Sequence, residues 1–206
     1  MDSAHNSAEE TYWRLLLNED PVSLYGRTLA TFDASEGTYL LKVLDLNYKI
    51  DPRHRIIERD DGTAEGVDWD TRLLALAYLT GATGASLVGR WVSPIGFSGG
   101  NLFFSSDAHN LEFSELLLAF KSPGDFLRAG QQIGEKKDVT GDASFVLWTL
   151  PRIPILFIYW TGDTELPSRI SVLVDESARN HLAIDGLWLA IRVSEKRLLQ
   201  VGGIHR

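Results

Sequence analysis

One apolar run constrains the fold of this chain more than any other segment, and it leads directly into an acidic turn. Residues 150–160 end in eight positions without a charged side chain, rich in β-branched and aromatic residues. Such a run predicts a strand buried on both faces, because a half-exposed strand would alternate apolar and polar residues. The turn that follows, residues 161–167, then brings Asp163 and Glu165 to the edge of the core.

The composition indicates one domain with a substantial core. The chain has 206 residues, of which 44% are hydrophobic. This is enough apolar material for a single core. We expect residues 1–35 to form an N-terminal helical segment and residues 36–206 to form an α+β domain, both within one compact unit.

The charge distribution argues against a nucleic-acid partner. The chain has 20 Lys and Arg and 28 Asp and Glu, a formal net charge of −8, and its basic residues are scattered along the sequence. Proteins that bind nucleic acid usually present a basic patch or stripe. We therefore expect no nucleic-acid partner.

The absence of cysteine and the polar start of the chain bear on its compartment. Without cysteine, the chain can hold no disulfide, thiolate zinc site or cysteine-bound iron–sulfur cluster. Its first residues are polar and acidic, unlike a signal peptide. The longest apolar run is far shorter than the roughly 20 residues that cross a bilayer as a helix. We expect a soluble, cytoplasmic protein with no membrane contact.

Apolar periodicity predicts both helices and strands. Helices are predicted over residues 7–18, from Pro21, from Asp68 to Gly81, over 111–120 and 125–133, and before Gly202. The core-facing residues of the second helix are predicted as Leu24, Tyr25 and Leu29, and those of the helix after Asp68 as Trp69, Leu73, Leu76, Ala77 and Thr80. Strands are predicted over 38–46, 48–50, 90–95, 101–105, 144–149, 153–160 and 170–175. This succession favours an α+β fold, a mostly antiparallel sheet packed with several helices.

The carboxylates of the acidic turn form the first candidate site. Asp163 and Glu165, beside Trp160, could hold a hard divalent cation or act as an acid and base pair. A polar hairpin turn explains the same residues without any chemistry, because Gly and Asp are typical turn residues. Asp175 and His181 follow the next strand. Hairpin pairing of residues 153–160 with 169–175 would place Asp175 at the opposite end from Asp163.

A second motif offers a serine nucleophile. Residues 96–100 match the G-x-S-x-G nucleophile elbow around Ser98, and Asp163 or Asp175 followed by His181 or His205 would supply the hydrolase order. The elbow needs a helix after the serine, whereas residues 101–105 are predicted as a strand. None of the five histidines lies three or four residues from another, so local sequence predicts no histidine metal site.

Several short segments spread over residues 39–199 carry a family resemblance. They are Leu73-Leu74-Ala75-Leu76-Ala77-Tyr78-Leu79, Gly89-Arg90-Trp91-Val92, Gly99-Gly100, Gly141-Asp142, Leu150-Pro151-Arg152-Ile153-Pro154, Trp160-x-Gly162-Asp163-x-Glu165-x-Pro167, and Asp175 with His181-Leu182. Through them the chain resembles the domain of unknown function family DUF3786. The resemblance implies a fold group without an activity. It also implies a link to anaerobic bacteria and archaea, in which some members carry an iron–sulfur module that a cysteine-free chain would have to find on a partner.

The leading hypothesis is a binding or accessory module in the cytosol, with a link to anaerobic iron–sulfur metabolism. Its site would comprise Trp160, Asp163, Glu165, Asp175 and His181, and its ligand would be a protein partner or a small molecule.

Two alternatives stay open. One is a divalent-metal-dependent hydrolase that uses Asp163 and Glu165, with a third ligand from Asp175, Glu176 or His181. The other is self-association through Tyr159 and Trp160, if these lie exposed at a sheet edge. Whether the chain is an enzyme is left open, and we assign no catalytic residue, metal ligand or cofactor.

Overall fold

In the computed structural model, the chain forms two antiparallel sheets and seven α-helices within residues 2–63, 66–137 and 140–203, which are the residues that the structure describes. Side chains are described from residue 7 onward. One sheet has four strands and the other has five. The four strands are consecutive in the chain, whereas helices separate the first strand of the larger sheet from the rest. This arrangement confirms the predicted α+β class.

The smaller sheet pairs its strands in chain order. They are β1 (Thr31–Asp33), β2 (Thr38–Val43), β3 (Leu46–Asp51) and β4 (Ile56–Arg59). The strands predicted over 38–46 and 48–50 are present as β2 and β3, which pair antiparallel, but the turn between them is Leu44 and Asp45 and not residue 47. The outer strands β1 and β4 are short and were not predicted from the sequence.

The larger sheet places the apolar run at its centre. Its strands are β5 (Trp91–Val92), β6 (Glu135–Lys136), β7 (Ala143–Leu150), β8 (Ile153–Trp160) and β9 (Arg169–Asp175), in the order β5-β9-β8-β7-β6. The prediction that β8 is central and buried on both faces is therefore confirmed: Phe157 joins the main core, while Leu156 and Ile158 form a second apolar cluster. Because β8 is not an edge strand and Tyr159 is buried, the edge patch predicted for self-association is absent from β8.

An extra residue opposite a proline of the central strand connects the larger sheet to the smaller sheet and to the last helix. Pro154 has no backbone N–H to donate to the ladder. Opposite it, the register shifts between Trp148 and Leu150, which leaves Thr149 as an extra residue. The Thr149 carbonyl accepts a 3.1 Å hydrogen bond from the amide of Leu44, in the turn of the smaller sheet. The Thr149 hydroxyl lies 2.7 Å from that of Ser194 on the last helix.

The first two helices are α1 (Asp2–Leu16) and α2 (Pro21–Thr28). Asp20 caps α2 by accepting a 2.7 Å hydrogen bond from the Ser23 amide, and Pro21 starts it as expected. Of the three residues predicted to face the core, Leu24 is buried, but Tyr25 and Leu29 are exposed. Leu29 follows the last turn in the left-handed conformation, with φ of 62°. Because the backbone leaves the helical path at Leu29, the Leu29 side chain no longer lies on the buried face of α2.

The remaining helices are α3 (Trp69–Gly81), α4 (Gly100–Phe104), α5 (Ser114–Ala119), α6 (Pro123–Ile133) and α7 (Ile184–Val201), with 3₁₀ turns at Pro94–Gly96 and Glu176–Asn180. The bounds of α3 agree with prediction, and its predicted core-facing side agrees in part: Leu76 is buried, and Trp69, Leu73 and Ala77 are partly buried against the core. Buried residues there are Thr71, Leu74, Ala75, Leu76, Tyr78 and Leu79. Helix α3 packs against other helices on several sides, α1 and α7 among them, so its buried residues do not form a single apolar stripe. None of the described helices is both long and apolar enough to span a membrane.

The strand predicted over residues 101–105 is wrong, because this segment forms helix α4. A short apolar run does not distinguish a strand from a helical turn. The 3₁₀ turn before α4 lies against the start of this helix: a Cβ on Gly100 would lie 2.5 Å from the Pro94 carbonyl oxygen. Phe104 is buried on the side of α4 that faces the protein, while Leu102 is exposed.

Candidate functional site

The acidic turn is closed by its own residues. The Asp163 carboxylate accepts hydrogen bonds from the amides of Glu165 at 2.8 Å and Leu166 at 2.9 Å. These bonds from Leu166 and Glu165 hold the pKa of Asp163 below its ordinary value. Asp163 and Glu165 are both exposed. The local hydrogen bonds are those of a polar hairpin turn.

Trp160 faces the second side of the larger sheet. It packs with Trp91 and Leu173 against the cluster of Val146, Leu156 and Ile158. The Arg169 guanidinium lies 4.9 Å from the centre of its ring, in cation–π geometry. The ring therefore belongs to a packed apolar cluster, while the carboxylates of the acidic turn are in solvent.

Asp175, by contrast, is a buried connector between distant segments. Its carboxylate accepts hydrogen bonds from the amides of Val88 at 3.0 Å, Gly89 at 2.7 Å and Ser177 at 2.9 Å, and from the Ser177 hydroxyl at 2.6 Å. Burial raises its pKa, but the bonds from Ser177, Val88 and Gly89 outweigh burial and hold the pKa below its ordinary value. Asp175 thus attaches the segment before β5 to the end of β9.

His181 is buried beside the same segment. Its Nε2 lies 3.1 Å from the carbonyl oxygen of Ala85, so this nitrogen donates the hydrogen bond. Its Nδ1 is buried and has no hydrogen-bond partner among the described residues. Burial lowers the pKa of His181, and the Ala85 carbonyl opposes this only in part. The ring is therefore a neutral side chain at neutral pH.

The predicted site residues fall into two separate groups. Trp160 pairs with Arg169 at one end of the β8–β9 hairpin, and Ile155 pairs with Val174 at the other. The strand between them spans about 17 Å, at about 3.3 Å per residue. Asp163 and Glu165 follow the first end, whereas Asp175 and His181 follow the second. Within residues 2–63, 66–137 and 140–203, no group of three His, Asp or Glu side chains could hold a metal ion.

Ser98 is followed by a helix, as the elbow motif requires. It is exposed between the 3₁₀ turn at Pro94–Gly96 and α4. No hydrogen bond joins it to a histidine among the described residues; His109 instead bonds Ser106 at 2.9 Å, and His205 lies outside the described residues.

A cleft of about 750 Å³ lies between the smaller sheet and α7, and we call it the α7 cleft. Strands β2 to β4 supply one wall, α7 supplies the other, and α5 with the start of α3 completes the lining. Its apolar lining residues are Val43, Leu44, Leu46, Val67, Leu118, Ala119, Val193 and Leu199. Its charged lining residues are Arg59, Asp68, Glu115, Arg192, Lys196 and Arg197. Small-molecule sites have this size, about 300–1,000 Å³.

Ion pairs hold two of the basic residues of the α7 cleft in place. Arg197 donates from Nε and Nη2 to the two oxygens of Asp45, at 3.0 and 2.7 Å. Lys196 donates to Asp68 at 3.3 Å and to Asp70. Burial lowers the pKa of Lys196, but its bond to Asp70 and the charge of Asp68 outweigh burial and raise the pKa above its ordinary value. These pairs connect α7 to the turn of the smaller sheet and to the start of α3.

A third pair places a buried carboxylate behind the lining. Glu195 is buried and accepts a hydrogen bond from Nη1 of Arg192. Burial raises the pKa of Glu195, and the nearby Arg192 reduces that effect without reversing it. Tyr48, another lining residue, also has a pKa raised by burial.

Sequence reasoning missed the α7 cleft, although α7 contains a trace of it. Arg192, Lys196 and Gln200 lie four residues apart, so they share one face of the helix. That polar stripe could have been noticed within the helix predicted before Gly202. Nothing in the sequence, however, indicates that this face lies against β2 to β4.

Comparison with known proteins identifies the family of the chain. The family model for a domain of unknown function, DUF3786, matches residues 20–195. The chain belongs to the DUF3786 family. No curated protein and no solved structure shows a match to it.

In this DUF3786 chain, segments that carry the family resemblance lie at structural joints. Arg152 donates hydrogen bonds to the carbonyls of Arg27 at 2.9 Å and Gly26 at 3.1 Å, and so attaches α2 to the larger sheet. A Cβ on Gly162 would lie 2.4 Å from the Ser168 nitrogen, so the acidic turn needs glycine there. The residues that line the α7 cleft all lie outside these segments.

Proposed function

We propose that this DUF3786 chain is a ligand-binding module that works in the cytosol and takes a small organic molecule in the α7 cleft. The volume of the cleft, about 750 Å³, supports this proposal. A ligand there would contact apolar side chains from both walls, and charged groups that ion pairs hold in position.

The hydrolase alternative has less support. Its third metal ligand was expected from Asp175, Glu176 or His181, and all three follow the far end of β9 from Asp163. Glu176 is also paired with Arg90. The Asp163 carboxylate is engaged by two amides of its own turn. A bound cation would have to compete with these bonds.

A blocked cleft tests the proposal. Ala119 lines the α7 cleft at the end of α5, and Ala119→Trp would fill part of its volume. Ala34→Trp, in the exposed turn between β1 and β2, is the control. We expect ligand-observed NMR with a library of small organic fragments to detect binders of the wild type. These should still bind Ala34→Trp and should lose affinity for Ala119→Trp. Equal binding to both variants, or no binders of the wild type, would refute the proposal.

The acidic turn is a second candidate, as a docking surface for a protein partner. The observation in its favour is Leu166, a large apolar side chain 69% exposed beside the exposed Glu165. Asp163→Ala with Glu165→Ala should abolish capture of that partner by the immobilised protein and leave fragment binding in the α7 cleft unchanged. A partner captured equally by the double variant would dispose of this second candidate.

A further inference from the structure

Basic side chains are concentrated in the α7 cleft, although the chain as a whole is acidic. The formal net charge is −8. The lining nevertheless contains Arg59, Arg192, Lys196 and Arg197, against the carboxylates of Asp68 and Glu115. Among the lining residues, positive side chains therefore outnumber negative ones, although each of the four is paired with a carboxylate.

The donors of Lys196 and Arg197 are largely committed to the protein. Arg197 uses Nε and Nη2 for Asp45 and Nη1 for Gln200, at 3.2 Å. Lys196 is shared between Asp68 and Asp70. Such pairs hold a basic side chain in position before any ligand binds, but they leave few of that side chain's N–H groups to bind a ligand.

Arg192 differs because one complete edge of its guanidinium is unused. Its one hydrogen bond among the described residues runs from Nη1 to Glu195. The Nε and Nη2 groups, whose N–H bonds lie in the guanidinium plane along one edge, have no such bond. This edge is the one that binds a carboxylate or phosphate through two parallel hydrogen bonds. The Arg192 side chain is 36% exposed and that of Glu195 only 3%, so the carboxylate holds the guanidinium from its buried side.

Arg59, on the opposite wall, adds a second positive charge. It uses Nη2 for Asp61. Its Nε is buried and has no hydrogen-bond partner among the described residues. The side chain is mostly buried and lines the cleft. The partial burial of this charge reduces its screening by solvent.

We propose that the ligand of the α7 cleft is a small organic anion, whose carboxylate or phosphate binds the Nε–Nη2 edge of Arg192. Its apolar part contacts Leu118, Ala119 and Val193, which line the same cleft. This inference rests on the proposed function, since it specifies the ligand of the same cleft.

Matched pairs of probes test the charge requirement. The probes are small aryl and alkyl carboxylates, the primary amide of each, and the corresponding phosphate monoesters, titrated into the full chain by calorimetry or NMR. Because hydrogen bonds between charged groups contribute about 1.5–3 kcal/mol, we expect the anions to bind about 10- to 100-fold more tightly than the amides. Tighter binding by the carboxylates or by the phosphates identifies which anionic group the cleft prefers.

Variants of Arg192 assign the effect to its guanidinium. Arg192→Gln should reduce the affinity for the anions to that of the amides, and Arg192→Lys should restore it only in part, because lysine lacks the planar edge. Since Arg192→Gln leaves Glu195 buried without its partner, the double variant with Glu195→Gln removes both charges and provides a second, folded test. Arg128→Gln is the matched control, because Arg128 also pairs with a carboxylate three residues away but lies outside the cleft.

The outcomes separate this inference from the function on which it rests. Amides that bind as tightly as the anions, and lose affinity in Ala119→Trp, would overturn the anion and leave the cleft as a binding site. Anion binding unchanged in both Arg192 variants would overturn the role of Arg192. If neither the anions nor the amides bind, both the inference and the proposed function fail.

Discussion

Asp163 and Asp175 follow the two ends of the same β8–β9 hairpin, yet they have opposite surroundings. Asp163 is exposed and accepts hydrogen bonds from residues two and three positions further along the chain. Asp175 is only 3% exposed and accepts hydrogen bonds from Val88 and Gly89, 87 and 86 residues away. One carboxylate closes a local turn, and the other joins segments that are distant in sequence.

This difference shows how little the residue type reveals about its contribution to stability. A strand end followed by Asp and Glu occurs at both places. Both carboxylates have a lowered pKa, since both accept backbone hydrogen bonds. At the acidic turn, however, water can replace those bonds if the side chain is removed. At Asp175 the amide and hydroxyl of Ser177 are buried, although Val88 and Gly89 are exposed residues, so removal of the carboxylate leaves the two Ser177 donors without a partner.

The largest effect is expected from Asp175→Ala. It leaves the buried amide and hydroxyl of Ser177 without their acceptor, and each unsatisfied buried donor costs about 1–3 kcal/mol. It also removes the two hydrogen bonds that hold Val88 and Gly89. We expect a loss of about 3 kcal/mol or more in the free energy of unfolding, measured by urea denaturation with circular dichroism. A loss below about 1 kcal/mol would mean that water replaces this carboxylate as well, and the contrast between the two ends would disappear.

Gly162→Ala is expected to have the next largest effect and to show what the acidic turn does require. The new Cβ would lie 2.4 Å from the Ser168 nitrogen and 2.7 Å from the Leu166 oxygen, so the turn must open. We expect a loss of about 1–3 kcal/mol, typical of overpacking, in the same denaturation experiment. Gly26→Ala is the control, because no atom lies within 4 Å of its Cβ position, and a helix favours alanine. Equal stability of the two variants would contradict the close contact.

A smaller effect, which depends on pH, is expected from His181 at the Asp175 end. Its folded pKa lies below the unfolded value of 6.5, so the unfolded chain binds the proton first. Its contribution to stability is therefore present above pH 6.5 and is lost as pH falls toward the folded pKa. We expect thermal melts of the wild type between pH 7.5 and about pH 5 to show this loss, and His181→Gln to show less of it. A profile of His181→Gln identical to that of the wild type would contradict the burial of His181.

The smallest effect is expected from Asp163→Ala. Its carboxylate is exposed and bonds only amides of its own turn. The melting temperature should change no more than for an ordinary surface substitution, and far less than for Asp175→Ala. A decrease as large as that of Asp175→Ala would show that the acidic turn belongs to the cooperative core, and that the two ends do not differ.

The longest apolar segments were the most predictable parts of the fold. The predicted bounds of β8 agree with the structure, those of β9 differ by one residue at one end, and those of β7 differ by one residue at each end. The short strands β1, β4 and β6 escaped prediction, because two to four residues contain too little periodicity and depend on a partner strand for their conformation. For the same reason, residues 101–105 were predicted as a strand although this segment forms helix α4.

The candidate site divides in the same way. Hairpin pairing alone indicated that Asp163 and Asp175 would lie at opposite ends, and the register of β8 with β9 agrees. The α7 cleft could not be anticipated, because its walls come from β2 to β4, α5 and α7, which are separated by long stretches of sequence.

By itself, the sequence determined that residues 153–160 form a central strand ending in an exposed acidic turn, because an uncharged apolar run has to be buried and a Gly–Asp turn closes with its own amides. Only the tertiary structure decided that Asp175 would be enclosed, and that the polar stripe of α7 would face a sheet across a cleft. Burial and charge pairing depend on which distant segments meet. In this fold the Thr149 carbonyl, beside a proline in the central strand, accepts a hydrogen bond from the Leu44 amide and so joins the two sheets.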